Sequence, residues 1–221
     1  GVCSLLSGAA RRVGFHPQDA KEFNHLFNNE HLPCLGEDLP KIRHYLKFVE
    51  QLGIAVSEPL EFGLSALRER NVRRWDRDYV VLALGSSSPA KDWTVNGYRD
   101  LVRLIIDRTC LMVVLCGDGN HTVRGEEVAA IFEGGRVVNL AGKTTLIDLA
   151  AILSRAKAAA GPDSGPGHLA AALGVPYVAL FGASNPTRNA PFGYERLVVV
   201  EPGGVRHITG ARVWAKLESV L

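Results

Sequence analysis

No stretch of this chain of 221 residues is apolar for long enough to cross a bilayer, and no basic segment leads into a signal-like apolar run. The expectation is a soluble protein, with peripheral membrane contact left open. No Gly-x-Gly-x-x-Gly opens a strand-helix unit and no complete Walker sequence is present, which counts against a dinucleotide oxidoreductase and against an ATP-driven motor. Charge of either sign is scarcely in excess, at a formal net of +2. Arg68, Arg70, Arg73, Arg74 and Arg77 form one basic cluster, read as a solvated linker face, so nucleic acid is not an expected partner. Only four cysteines occur, Cys3, Cys34, Cys110 and Cys116, without ligand-pair spacing, and the histidines show none either. No metal site is therefore expected, and the thiols are read as reduced and buried.

What is present is a run of alternating strands and helices. Apolar segments at 79–84, 111–116, 137–140, 157–160 and 177–181 read as five strands. Between them, helical patterns fall at 97–107, 125–132, 146–154 and from about Gly167. Parallel neighbours need crossover helices, so this order predicts an α/β, Rossmann-like parallel sheet covered on both faces, whose ligands gather at the carboxyl ends of the strands. Ahead of it, Arg12 to Phe15 reads as the end of a short strand and 16–39 as irregular. Lys41 to Leu52 reads as a helix with Ile42, Tyr45, Leu46 and Val49 on one face. After it, 208–221 reads as an amphipathic helix with Val213, Leu217 and Leu221 together. The chain opens on Gly1 rather than methionine and runs straight into a Leu/Ala-containing segment, so a front end is expected to be missing.

Three strand ends carry loops fit for a phosphate. In Ala160-Gly-Pro-Asp-Ser-Gly-Pro-Gly-His-Leu169 small residues lead into a helix start, where free backbone N–H groups and the helix dipole favour an anion. Asp163, Ser164 and His168 add polar groups that a plain loop-to-helix turn does not require. Gly85-Ser-Ser-Ser-Pro-Ala-Lys91-Asp-Trp93 offers hydroxyls from Ser86 and Ser87 and an ammonium from Lys91, a set suited to a diphosphate. Gly117-Asp118-Gly119 forms the third loop. In Gly142-Lys-Thr-Thr145 the simplest reading is that Thr144 or Thr145 caps the next helix, with a ligand contact as an added role.

Four ordered motifs then carry a resemblance: Lys91-Asp-Trp93 with its serines, Asn139-Leu-Ala-Gly-Lys-Thr-Thr-Leu146, Asp163-Ser-Gly-Pro-Gly-His168-Leu-Ala-Ala-Ala-Leu173, and Leu180-Phe-Gly-Ala-Ser-Asn-Pro186 with Pro191-Phe-Gly193. They resemble glycosyltransferase family 9, the ADP-heptose:lipopolysaccharide heptosyltransferases. The resemblance runs from about Arg12 to the C-terminus and implies a GT-B fold, two Rossmann-like domains with the donor in the second.

On that resemblance 1–76 is a remnant of the N-terminal, acceptor-side domain plus a linker. Residues 77–205 form the nucleotide-sugar donor domain, and 206–221 form a helix returning toward the first domain. Ser86, Ser87 and Lys91 would hold the diphosphate with Asp163, Ser164, Gly165 and His168. Thr144 would border the adenine, and Asp118 would either grip the ribose or serve as a turn residue. Lys91, Asp163 and His168 are the expected catalytic residues of an inverting transfer without metal or other cofactor. The implied partners are ADP-heptose and a lipopolysaccharide inner-core acceptor, at the cytoplasmic face of a bacterial inner membrane; composition does not indicate an oligomeric state. The family's opening strand and aspartate-bearing glycine-rich loop have no counterpart here, so the catalytic base is unassigned. A non-catalytic nucleotide-binding module and another GT-B enzyme, such as a sugar-nucleotide epimerase, are the alternatives.

Overall fold

The computed structural model describes residues 1–70, 75–182 and 184–221, so Arg73 and Arg74 of the basic cluster, and Ala183 of the last motif, lie outside the described residues. The chain divides into two compact units, one of residues 1–60 with 187–189, the other of 61–186 with 190–221.

In the first unit α1 (Val2–Leu6) precedes β1 (Val13–Gly14), which pairs in parallel with β2 (Glu30–His31), followed by α2 (Lys41–Gln51). The segment 16–39, expected to be irregular, thus holds a short strand. Of the face of α2 expected to turn inward, Ile42, Leu46 and Val49 are half-buried and Tyr45 is not. His44 is the helix's buried residue and Tyr45 stays 52% exposed. The Phe15 ring meets Phe48 edge-on at 4.8 Å and lies 6.4 Å from the His44 ring and 6.3 Å from that of Tyr45.

The second unit is built on a six-stranded sheet. In chain order its elements are β3 (Tyr79–Ala83), α3 (Val95–Arg108), β4 (Met112–Cys116), α4 (Thr122–Ala129), β5 (Val137–Asn139), α5 (Leu146–Leu153), β6 (Ala158–Pro162), α6 (Gly165–Ala172), β7 (Tyr177–Phe181) and, after α7 (Pro186–Asn189), whose residues 187–189 belong to the first unit, β8 (Val198–Val200) and α8 (Gly210–Glu218). All pairings are parallel, in the order β5-β4-β3-β6-β7-β8. The sheet has six strands rather than five because Val198–Val200, only three residues long, completes the edge beyond β7.

Both faces of the sheet are covered, which is why β3, β4, β6 and β7 are buried at every position rather than alternately. Val80, Leu82 and Leu84 pack toward α3 and α8, among Tyr98, Leu101, Ile105, Val213 and Leu217. Tyr79 and Val81 face the other side, with Ile152, Leu153, Ala170 and Leu173. The alanines of β6 suit its central place, since a Cβ on Gly161 would already collide with the Tyr177 hydroxyl and Ala83.

Several boundaries differ from expectation for local reasons. Helix α6 starts at Gly165 because Pro166 sits in its first turn, where a fixed φ costs nothing. Helix α4 starts at Thr122 because Asp118 caps a short 3₁₀ turn, Gly119–His121, that runs straight into it. Helix α8 is capped by Thr209 and ends at Glu218, so Val213 and Leu217 are buried while Leu221 is exposed. Of the cysteines only Cys116 is buried; Cys3, Cys34 and Cys110 are exposed, since they lie outside the sheet.

Candidate functional site

The order of the sheet creates a switch point. From β3 the chain runs outward through β4 to β5, then returns to lay β6 on the opposite side of β3, with Val81 opposite Ala159. In open parallel sheets the crevice beyond the carboxyl ends of two such strands is the ligand site. Here it is flanked by the loop after β3, carrying Ser86 to Lys91, and the loop after β6, carrying Asp163 to Gly165.

The loop after β3 is held from below. Trp93 is buried, donates its Nε1–H to Ile208 O at 2.8 Å and stacks edge-on against Tyr98 at 4.8 Å. Tyr98 in turn donates to Ala83 O at 2.6 Å. The Lys91 turn is therefore fastened to the end of β3 through two buried rings. Ser86 Oγ donates to Ser88 O at 2.8 Å and its N–H donates to Asp92 Oδ1 at 2.9 Å, so this serine first of all shapes the turn. Ser87 is exposed.

Across the crevice, Lys91 Nζ lies 2.7 Å from Asp163 Oδ2, with the lysine side chain 39% exposed and the aspartate 8%. Two expected site residues, 72 positions apart, are thus in direct contact. Ser164 is the N-cap of α6, but its hydroxyl donates backward to Pro162 O at 3.1 Å instead of closing the helix. Gly165 and His168 are exposed in that helix's first turn. Underneath, Tyr177 donates to Pro162 O at 3.2 Å, and burial, with Asp163 nearby, pushes its phenol well up from the ordinary range.

The rim continues toward β4 and β5. His121 is buried against the backbone at the ends of β3 and β4: a Cβ on Gly85 would fall onto its ring, and one on Gly117 would lie 2.7 Å from its Cβ. Asp118 Oδ1 lies 2.7 Å from His121 Nδ1 and accepts the Asn120 N–H at 2.9 Å, so Asp118 does fill a turn role. Gly142, at φ +70°, donates to Gly117 O at 2.9 Å and ties the loop after β5 to the loop after β4. Thr145, not Thr144, caps α5, in a reciprocal box with Asp148. Thr144 is half-buried in that loop, on the edge strand's side and two strands from β3.

Two groups escaped sequence reasoning. Arg124, from the first turn of α4, lies 2.8 Å from Asp92 Oδ2 and donates to Leu84 O at 2.6 Å. Asp92, its side chain only 11% exposed, therefore collects the Arg124 guanidinium and the Ser86 N–H. The one available signal was a carboxylate directly beside Lys91. Among the described residues no three His, Cys, Asp or Glu side chains gather as a metal site, and no helix is long and apolar enough to cross a membrane.

The family model described as Glycosyltransferase family 9 (heptosyltransferase) matches residues 4–204. The lipopolysaccharide core heptosyltransferase OpsX of Haemophilus influenzae is 26% identical over 197 residues, 86% of this chain and 56% of that protein. The lipooligosaccharide heptosyltransferase 2 of the same organism is 33% identical over 168 residues, 74% of this chain and 46% of that protein. Among solved structures, E. coli heptosyltransferase WaaC with ADP superposes with a TM-score of 0.79 at 23% identity, covering 95% of this chain and 65% of that one. The chain thus spans about half the length of the relatives it matches.

Proposed function

The chain belongs to glycosyltransferase family 9, and we propose that it forms the donor-binding half of an inverting heptosyltransferase that passes heptose from ADP-heptose to the inner core of lipopolysaccharide. The observation that carries this is the Lys91–Asp163 contact across the switch point, 2.7 Å long, beside the open N-terminus of α6. Breaking the bond between sugar and diphosphate leaves negative charge on the departing ADP, and a transferase must offset that charge where it develops. In this reading the Lys91 ammonium and the α6 dipole serve one diphosphate, without a metal. An arriving diphosphate takes over Lys91 from Asp163, leaving that carboxylate free to accept hydroxyls of the sugar. Ser164 and Gly165 offer backbone N–H groups, Ser87 a solvent-facing hydroxyl, and His168 a ring at the helix's outer edge.

Asp118 and Thr144 lie farther along the same rim, on the side where ribose and adenine would extend. The acceptor is an anionic lipid-linked sugar, which places the working protein at the cytoplasmic face of a bacterial inner membrane, with residues 1–76 on the acceptor side. The base that takes the acceptor's proton is assigned to no residue of this chain.

Thermal-shift titration with ADP, UDP and NAD tests the donor assignment. Stabilisation by ADP in preference to the others is expected. Preference for UDP would point to another GT-B enzyme, and preference for NAD to an oxidoreductase. Release of ADP from ADP-heptose in the presence of inner-core acceptor tests the activity.

A further inference from the structure

The crevice holds four charges in two pairs. Lys91 is matched by Asp163 from the α6 side, and Asp92, the next residue, by Arg124 from the α4 side. Both carboxylates are largely buried, at 8% and 11% side-chain exposure, so neither is screened away by water. The two pairs differ in how they are held. The guanidinium of Arg124 also donates to Leu84 O just beyond β3, which holds it in place, and its side chain is 26% exposed against 39% for Lys91. A phosphate can displace Asp163 from Lys91. The Asp92–Arg124 pair, with its added bond to Leu84 O, is the harder of the two to displace.

We infer that Arg124 is a positioning residue for the donor diphosphate, acting by occupying Asp92 so that the carboxylate adjacent to Lys91 does not become a second competitor for its ammonium. The inference rests on the assignment of Lys91 as a diphosphate ligand. Formal charge makes the point: the four side chains sum to zero, and without Arg124 they sum to −1. In a half-buried crevice that change acts on an incoming dianion at short range, where water and salt screen it little. The role is separable from shaping the turn. Asp92 Oδ1 accepts the Ser86 N–H at 2.9 Å, and an asparagine there keeps that acceptor while losing the charge.

The experiment is calorimetric titration of this chain with ADP, and with adenosine as a ligand lacking phosphate. Arg124→Met is expected to weaken ADP binding by about tenfold or more, a difference of about 1.4 kcal/mol, and to leave adenosine binding unchanged. Adding Asp92→Asn to Arg124→Met is expected to bring ADP affinity back to within about threefold of the unaltered chain, as charge balance requires. A purely structural strut would show no such recovery. Unchanged ADP affinity in Arg124→Met, equal loss of adenosine, or no recovery in the double variant would each overturn the inference.

Should Arg124→Met fail to fold, Asp92→Asn alone carries the test. It leaves the Arg124 charge unmatched and the four side chains at +1, so it is expected to tighten ADP binding several-fold, and an unchanged or weaker affinity overturns the account. If the unaltered chain does not bind ADP, or Lys91→Ala binds it equally well, the donor assignment itself fails. If Lys91→Ala loses binding and the Arg124 variants do not, only the role of Arg124 fails.

Discussion

Tyr177 lies directly beneath Gly167: a Cβ placed on that glycine would stand 2.8 Å from Cε1 of the phenol ring. The first turn of α6 therefore rests on the first residue of β7, and the height of the helix N-terminus over the sheet is set by one ring. The Tyr177 hydroxyl completes the arrangement by donating to Pro162 O, just ahead of Asp163.

Gly167→Ala should lift or tilt that turn. Overpacking of this kind costs about 1–3 kcal/mol, and the strain falls on the backbone proposed to meet the diphosphate. A lowered melting temperature together with weaker ADP binding is expected. Unchanged values of both would show that the ring moves aside freely.

Trp93 offers a test of how the Lys91 turn is held. Trp93→Ala removes a buried ring and the bond to Ile208 O, and deletions of this size cost about 3–5 kcal/mol. Trp93→Phe keeps most of the volume and loses the bond, at about 1 kcal/mol. Denaturant unfolding measures both, and the alanine variant should be the less stable by a clear margin.

The thiols should divide three to one. Burial pushes the Cys116 thiol up to about 12, while Cys3, Cys34 and Cys110 are exposed. A thiol-reactive probe at neutral pH should label three cysteines rapidly in the native chain and the fourth only after unfolding.

His44 makes the first unit's stability depend on pH. Its burial, and then the charge of Arg188, hold its pKa below the usual 6.5, against smaller opposing effects of Asp19 and a bond to the Leu39 backbone. The unfolded chain thus takes up this proton at a higher pH than the folded one. The stability associated with neutral His44 is complete above about 6.5 and declines as pH falls toward the lowered folded value. Unfolding curves between pH 7.5 and 5 should show this decline, and His44→Phe should flatten it.

The parts of this molecule legible in its sequence are those whose cause is local. Strand β7 occupies the predicted span 177–181 because an apolar run bounded by Pro176 and Gly182 has few other options in a buried sheet. Strand β8 escaped because three valines carry no period, and their pairing with β7 exists only once the sheet is assembled. Lys91 and Asp163 were each recognisable as polar groups at strand ends, but their contact depends on the order in which β3 and β6 lie side by side. Arg124 was not legible at all, since its partner Asp92 comes from a different loop and only the turn's shape brings them together. His44 shows the same limit: helical spacing located α2 with its half-buried Ile42, Leu46 and Val49 but not the burial of His44.

The claim on which the account turns is that one diphosphate is gripped by the Lys91 ammonium and the α6 N-terminus together, and titration of ADP into the unaltered chain and Lys91→Ala tests it most directly. The account predicts measurable binding by the first and at least about tenfold weaker binding by the second, with both equally folded. Equal affinity in two folded proteins would contradict it.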